Sequence, residues 1–320
     1  MKIKYNVLWV ENEQDWLDSI VDEIQEFVEE LGFKFSYDVA TGRSDISDYN
    51  KYDLILMDLN LASEPTGDEI IQEIRNLNIY TDVVFYSASG ISAIRAKGNE
   101  KELEGVYYSG RNNVLFLAKV QGVIMTTIRK TQDLTNLRGL VMAEVSELDV
   151  MMGEILLRFL TLPKNLEEFH RKVTADREKS IRKSLNKPDG CNKNCNLLIR
   201  QATIEDIVAQ SDASQKARGV NLVLTTLAQD GTNIYVSPNG KGFMENYETD
   251  IIRMRNNMAH CQSIEMEADG REILKTRRGD VVFNSEDFIK IRKNIVAYHT
   301  LFDIEEFYKL KYCSTVVYMV

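Results

Sequence analysis

Proline is nearly missing, with four residues in a chain of 320. Together with an apolar content of 44%, that scarcity excludes a proline-rich or disordered polymer and points to ordered cores. Long apolar runs are lacking too: none approaches the roughly 18 residues of a membrane span, so no membrane partner is expected. Four cysteines, with Cys261 and Cys313 far from the close pair Cys191 and Cys195, do not make a secreted disulfide framework. The spacing of that pair suits half a zinc site without a second half in sequence, and two free thiols are the plainer reading. The opening MKIKYNVLWVEN enters a strand without a separate apolar leader, which makes the cytoplasm the expected compartment. Histidine occurs only three times, so any imidazole chemistry falls on His170, His260 or His299.

What is present is acid, unevenly spread. The formal net charge is −10. Residues 1–130 hold 13 Lys+Arg against 22 Asp+Glu, whereas residues 131–320 hold 26 against 27. An acidic whole argues against a nucleic-acid partner, but the nearly neutral second part does not. The clearest basic stretch is 171–193, with eight Lys+Arg against three acids, and it reads either as a phosphate-tracking face or as a solvated helix.

Residues 1–130 alternate short apolar runs with helical periodicity. The strands are YNVLWV, FKFSYDVA, DLILMDLNL, DVVFYSAS and GVYYSG, and consecutive apolar positions in the third suit a parallel strand covered on both faces. The fold expected is α/β, a doubly wound five-stranded parallel sheet. Ligands of such sheets gather at the carboxyl ends of the strands, where Glu11, Asn12 and Asp58 converge.

This stretch resembles the receiver domain of two-component response regulators. The resemblance implies a metal site at Glu11, Asn12 and Asp58, a phosphoacceptor at Asp58, and switch positions at Ser87 and at Tyr107 or Tyr108. It also implies Mg²⁺ as the ion and a histidine kinase or other sensor as a partner. Two departures matter. Asn12 replaces one carboxylate of the acidic pair, and Arg111 is the nearest cation to the usual Lys, one residue early. Two forms stay open, a phosphorylatable receiver that binds Mg²⁺ weakly and a pseudo-receiver that senses a protein.

Residues 131–320 read as a mostly α-helical bundle with one small hairpin around residues 278–280. No flexible linker precedes it, and the helical pattern runs on through the junction. Within IIRMRNNMAHCQ, Asn256 and His260 lie one helical turn apart, and Arg255 is long enough to reach the same side. His299 follows the apolar stripe of the last helix and reads as a packed core histidine.

Arg255-Asn256-x-x-x-His260 resembles the signature of the HEPN superfamily, helical domains first grouped in higher eukaryotes and prokaryotes. The resemblance implies a metal-independent endoribonuclease acting as a homodimer, with RNA's 2′-hydroxyl as nucleophile. Arg255, Asn256 and His260 would be its catalytic residues, and no cofactor would be needed for cleavage. Glu144 is an accessory candidate on a facing helix, and Lys275, Arg277 and Arg278 are candidates for RNA contact. Stress-response or phage-defence duty is the family context. The alternative is a non-catalytic HEPN-like module for dimerisation or partner binding, under control of the receiver or pseudo-receiver.

Overall fold

A computed structural model describes residues 3–62, 64–159, 171, 175, 179, 204–229, 231–267, 271–277 and 279–303. The basic stretch around 171–193, Cys191 and Cys195, His170, Arg278 and the tail beyond 303 lie largely or wholly outside these residues. The chain divides into two compact units. Residues 1–137 with 284–293 make the first, and 138–283 with 294–320 the second.

The first unit is built on β1 (Lys4–Val10), β2 (Lys34–Ala40), β3 (Leu54–Asp58), β4 (Val83–Ser87) and β5 (Val106–Gly110). All are parallel, in the order β2-β1-β3-β4-β5. That is the doubly wound order whose switch point falls between β1 and β3. Every residue of β3 and β4 is buried, as both-face coverage demands.

One core face packs Trp9, Leu56, Tyr86 and Phe116 with the apolar side of α2 (Val21–Glu30) and α5 (Asn113–Thr131). The other packs Leu8, Ile55, Met57 and Phe85 with Ile70, Ile71 and Ile74 of α3 (Gly67–Asn76) and Ile94 of α4 (Ile91–Glu100). The short α1 is Gln14–Asp18. Asn112 caps α5, its Oδ1 accepting from the Leu115 N–H at 3.1 Å. The chain then breaks for two residues before α6 (Leu134–Phe159), where a continuous helix was expected; the Asp133 carboxylate caps the new start by accepting from the Asn136 N–H at 2.7 Å.

In the second unit, α6 buries Leu148, Met152, Ile155 and Leu156. These residues are followed by α7 (Ile204–Gln210) and α8 (Ala213–Gln229). Gly219 sits where an added Cβ would lie 2.8 Å from Leu156, so its lack of a side chain lets that leucine in. Next come α9 (Phe243–Tyr247), a π turn at Glu248–Ile252 and α10 (Arg253–Ala259). Phe243 and Tyr247 pack with Tyr298 and Phe302 near the end of α11 (Ser285–Leu301). An antiparallel sheet joins β6 (Cys261–Met266), β7 (Glu272–Thr276) and β8 (Gly279–Phe283). The β7–β8 pair is the expected hairpin. Sequence reading missed β6, because CQSIEM follows the helix with no turn residue to announce a strand. No described helix is long and apolar enough to cross a membrane.

Candidate functional site

In the first unit the topology brings Glu11, Asp58 and Ser87 to one edge, because each stands at or just past the end of β1, β3 or β4. All three are buried. Glu11 Oε1 accepts the backbone N–H groups of Asn12 and Glu13 at 2.9 and 2.8 Å. Its Oε2 accepts from the Tyr86 hydroxyl at 3.0 Å and from Arg111 at 3.1 Å. Arg111 also holds Glu13 at 2.6 Å and lies 4.8 Å over the Trp16 ring. Asn12 itself is exposed.

Asp58 is differently placed. Its Oδ2 accepts from the Asn60 N–H at 3.2 Å, but its Oδ1 is buried with no hydrogen-bond partner. Burial first, and then the Glu11 charge, push its carboxyl from 3.8 up to about 7, with Arg111 pulling the other way. The Asn60 amide donates to Ser87 Oγ at 3.2 Å and so ties the Asp58 loop to β4. Ser87 Oγ also accepts from the Ser89 N–H at 3.1 Å. Tyr108 is half-buried and leans over Gly98, where an added Cβ would overlap its hydroxyl.

Tyr86 is the residue that sequence reading overlooked. It is fully buried, accepts a hydrogen bond from Trp9 Nε1 at 2.8 Å and donates its own to Glu11 Oε2. Burial and the Glu11 charge hold its hydroxyl well above the ordinary tyrosine range, so it stays a donor. A tyrosine within the fully buried run VVFYS was the available signal, since a buried phenol needs a partner.

In the second unit, Asn256, His260 and Arg277 line one cavity of about 460 Å³ with Asn257, Cys261, Gln262 and Thr276. His260 is exposed at the end of α10. Arg255 is not among the lining residues; its guanidinium donates to Asn256 Oδ1 at 3.0 Å. Lys275 is engaged by Asp280 at 2.6 Å and Glu265 at 3.5 Å, which spends its charge on neighbouring acids. Arg278 lies outside the described residues.

Glu144 turns to a different histidine. Its Oε2 lies 2.8 Å from Nε2 of His299, off the ring N–H direction, so the contact is an ion-pair distance without an aligned hydrogen bond. Glu147, one helical turn on, brings a third donor, and the three ligand atoms fall within 4.8 Å of one another.

These placements correct the expectation of a metal-independent endoribonuclease built on Arg255, Asn256 and His260. The cavity lined by Asn256 and His260 does not include Arg255, whose guanidinium donates to Asn256 Oδ1. The expected accessory carboxylate, Glu144, is committed to His299 within a group of metal-ligand composition, at odds with strictly metal-free chemistry. His299 is as buried as its place on the apolar stripe suggested, at 6% exposed.

No family model matches the chain, and no curated protein matches it. Among solved structures, it is similar to the receiver domain of Francisella response regulator 1452, at 18% identity over 40% of this chain and 99% of that one, with a TM-score of 0.32. A CheY-like receiver domain protein from Methanospirillum hungatei is 15% identical over 39% of this chain and 98% of its own, with a TM-score of 0.31. A two-component response regulator from Clostridium difficile is 22% identical over 38% and 96%, with a TM-score of 0.29. At such values the receiver-like fold of the first unit rests on its strand order and its buried acids, with the likeness adding no weight. Nothing in the comparisons ties the second unit to HEPN domains.

Proposed function

We propose that the protein is a signal-responsive switch, in which the receiver-like first unit takes the input and the second unit binds a partner. The observation that carries this reading is the state of Asp58: buried, with one oxygen unpartnered, repelled by Glu11 and raised to about 7. A carboxylate held so uncomfortably at the functional edge of a doubly wound sheet is poised for a charge-compensating event.

The residues fit a divalent cation at least in part, because an ion beside Asp58 Oδ1 satisfies the orphan oxygen and relieves the Glu11–Asp58 repulsion. Glu11 and Asp58 would hold Mg²⁺, with exposed Asn12 as a weaker neutral donor. When bound, the ion supplies positive charge against an incoming phosphoryl group. The chain's own part is nucleophilic: ionised Asp58 attacks phosphorus, the donor's P–N or P–O bond breaks, and an acyl phosphate forms. A sensor kinase or small phosphodonor is the source, and Ser87, Tyr108 and Arg111 surround the edge that would respond.

A specific observation favours a second form. Both Glu11 oxygens are already occupied, Oε2 by the Arg111 guanidinium, which does part of a cation's work without one. In that form the unit is a pseudo-receiver and the signal is a protein contact. Intact mass after incubation with acetyl phosphate and Mg²⁺ separates the two. One added phosphoryl group, lost in Asp58→Asn, supports the phosphorylated form; no addition at any donor concentration leaves the pseudo-receiver.

For the second unit, a partner-binding role is supported by an apolar groove of about 490 Å³ lined by Tyr235, Val236, Pro238, Tyr298 and Leu301 among others. Val236 is 78% exposed there. Homodimerisation is one form such binding takes. Light scattering on the full chain with and without the phosphodonor tests it, and a mass independent of concentration and signal would exclude self-association as the output.

A further inference from the structure

We propose that Glu144, Glu147 and His299 form a binding site for a divalent first-row transition ion, in the class of Zn²⁺, Mn²⁺ or Co²⁺. The two glutamates stand three positions apart on α6, so they share a face, and α11 presents His299 to it. An imidazole with two carboxylates is a borderline donor set that suits these ions better than Mg²⁺ or Ca²⁺, which want oxygen alone.

His299 supplies the independent observation. It is 6% exposed, and its Nε2 is buried without a hydrogen-bond partner although Glu144 Oε2 is only 2.8 Å away. Buried ring nitrogens are rarely left in that condition. A metal ion accepts the nitrogen lone pair and neutralises the half-buried Glu144 at the same time, which the off-axis contact does not. The distances allow it. Two donors each about 2.1 Å from one ion are at most about 4.2 Å apart. The widest spacing in the group, within 4.8 Å, therefore closes with a shift of less than about 1 Å. Glu147 is exposed and free to make that movement. Three protein donors leave further coordination positions to water, so the site ties α6 to α11 while staying open on the Glu147 side.

The test uses the full chain, stripped with EDTA and titrated with Co²⁺ in excess Mg²⁺, so that a magnesium-type site in the first unit does not contribute. One equivalent should bind with weak visible d–d bands and without a strong near-ultraviolet thiolate band. Glu147→Gln, at an exposed position that leaves the fold intact, should weaken binding at least tenfold. His299→Gln should abolish it, with circular dichroism checking that the helices persist. Absence of Co²⁺ binding, binding of unchanged strength in Glu147→Gln, or a thiolate band assigning the ion to cysteine would each overturn the proposal.

Discussion

Glu11, Asp58 and Ser87 come from three separate strands of the first unit, yet the parallel order of the sheet delivers them to one edge. In the second unit Arg255, Asn256 and His260 are neighbours in sequence, yet only the last two share a cavity. The group of ligand type there, Glu144, Glu147 and His299, is drawn from the unit's first and last described helices. A wound sheet fixes where strand ends go, so spacing along the chain predicts a site. A helix offers several faces at once, and short-range spacing fixes only an angle, leaving open what the side chain meets.

The largest effect should come from the residue the sheet places most firmly. Asp58→Asn is expected to remove all phosphoryl uptake from acetyl phosphate, read as intact mass. It should also change stability with pH. The folded carboxyl, at about 7, lies above the ordinary 3.8, so the folded state binds the proton more tightly. That contribution is fully present below about pH 4 and is lost as pH rises through about 7. Wild type should therefore weaken over that window, by an amount on the order of 4 kcal/mol. Asp58→Asn should be flat there and melt several degrees higher than wild type at pH 8. Equal melting curves at pH 8 would show that Asp58 is less strained than its surroundings imply.

Gly67→Ala probes the same edge from behind. A Cβ at Gly67 would overlap the Asp58 carbonyl oxygen, a backbone atom held by the sheet. The Gly67 N–H also bonds Leu59 O at 3.2 Å, and Glu69 accepts from the Thr66 N–H at 3.0 Å, so the start of α3 cannot retreat easily. A loss of about 3 kcal/mol or more is expected in chemical denaturation, with phosphoryl uptake falling in parallel because the Asp58 loop is displaced.

Most of the first unit was legible for a plain reason. The runs YNVLWV, LILMD and VVFYS are largely apolar at consecutive positions, and each ends in or is followed at once by a polar residue of the edge: Glu11, Asp58 and Ser87. Tyr86 was not legible in its role, since its bond to Glu11 depends on which side of β4 faces α5. Glu144 was expected on a helix facing Arg255 and His260, and it meets His299 instead. Nothing in local spacing tells that α11 rather than α10 crosses it. Strand β6 was missed because its exposed alternation, with Ile264 between polar residues, is too short to stand out from a loop.

Lys216 offers an intermediate effect in the second unit. Its ammonium lies 2.6 Å from Asp149 Oδ2, and its side chain is 10% exposed. Lys216→Met keeps the apolar stem but leaves Asp149 without its cation, with Oδ1 already buried and unpartnered. A loss of about 2 kcal/mol is expected from the stranded carboxylate. Pairing it with Asp149→Asn should recover part of that loss, and a double variant no better than the single would show that packing of the stem is what matters.

The smallest effect should fall on His260, and it presses hardest on the comparison. The side chain is exposed, and the bond that finishes α10, from the His260 N–H to Asn256 O at 3.1 Å, is backbone and survives substitution. His260→Ala should stay within about 0.5 kcal/mol of wild type. Met258→Ala, two residues away and fully buried, should lose about 2–5 kcal/mol. A much larger loss at His260, growing with protein concentration, would mean that a second copy of the chain covers it. The second unit would then bury that surface against its own copy, and the contrast with the sheet edge would be one of where the partners come from.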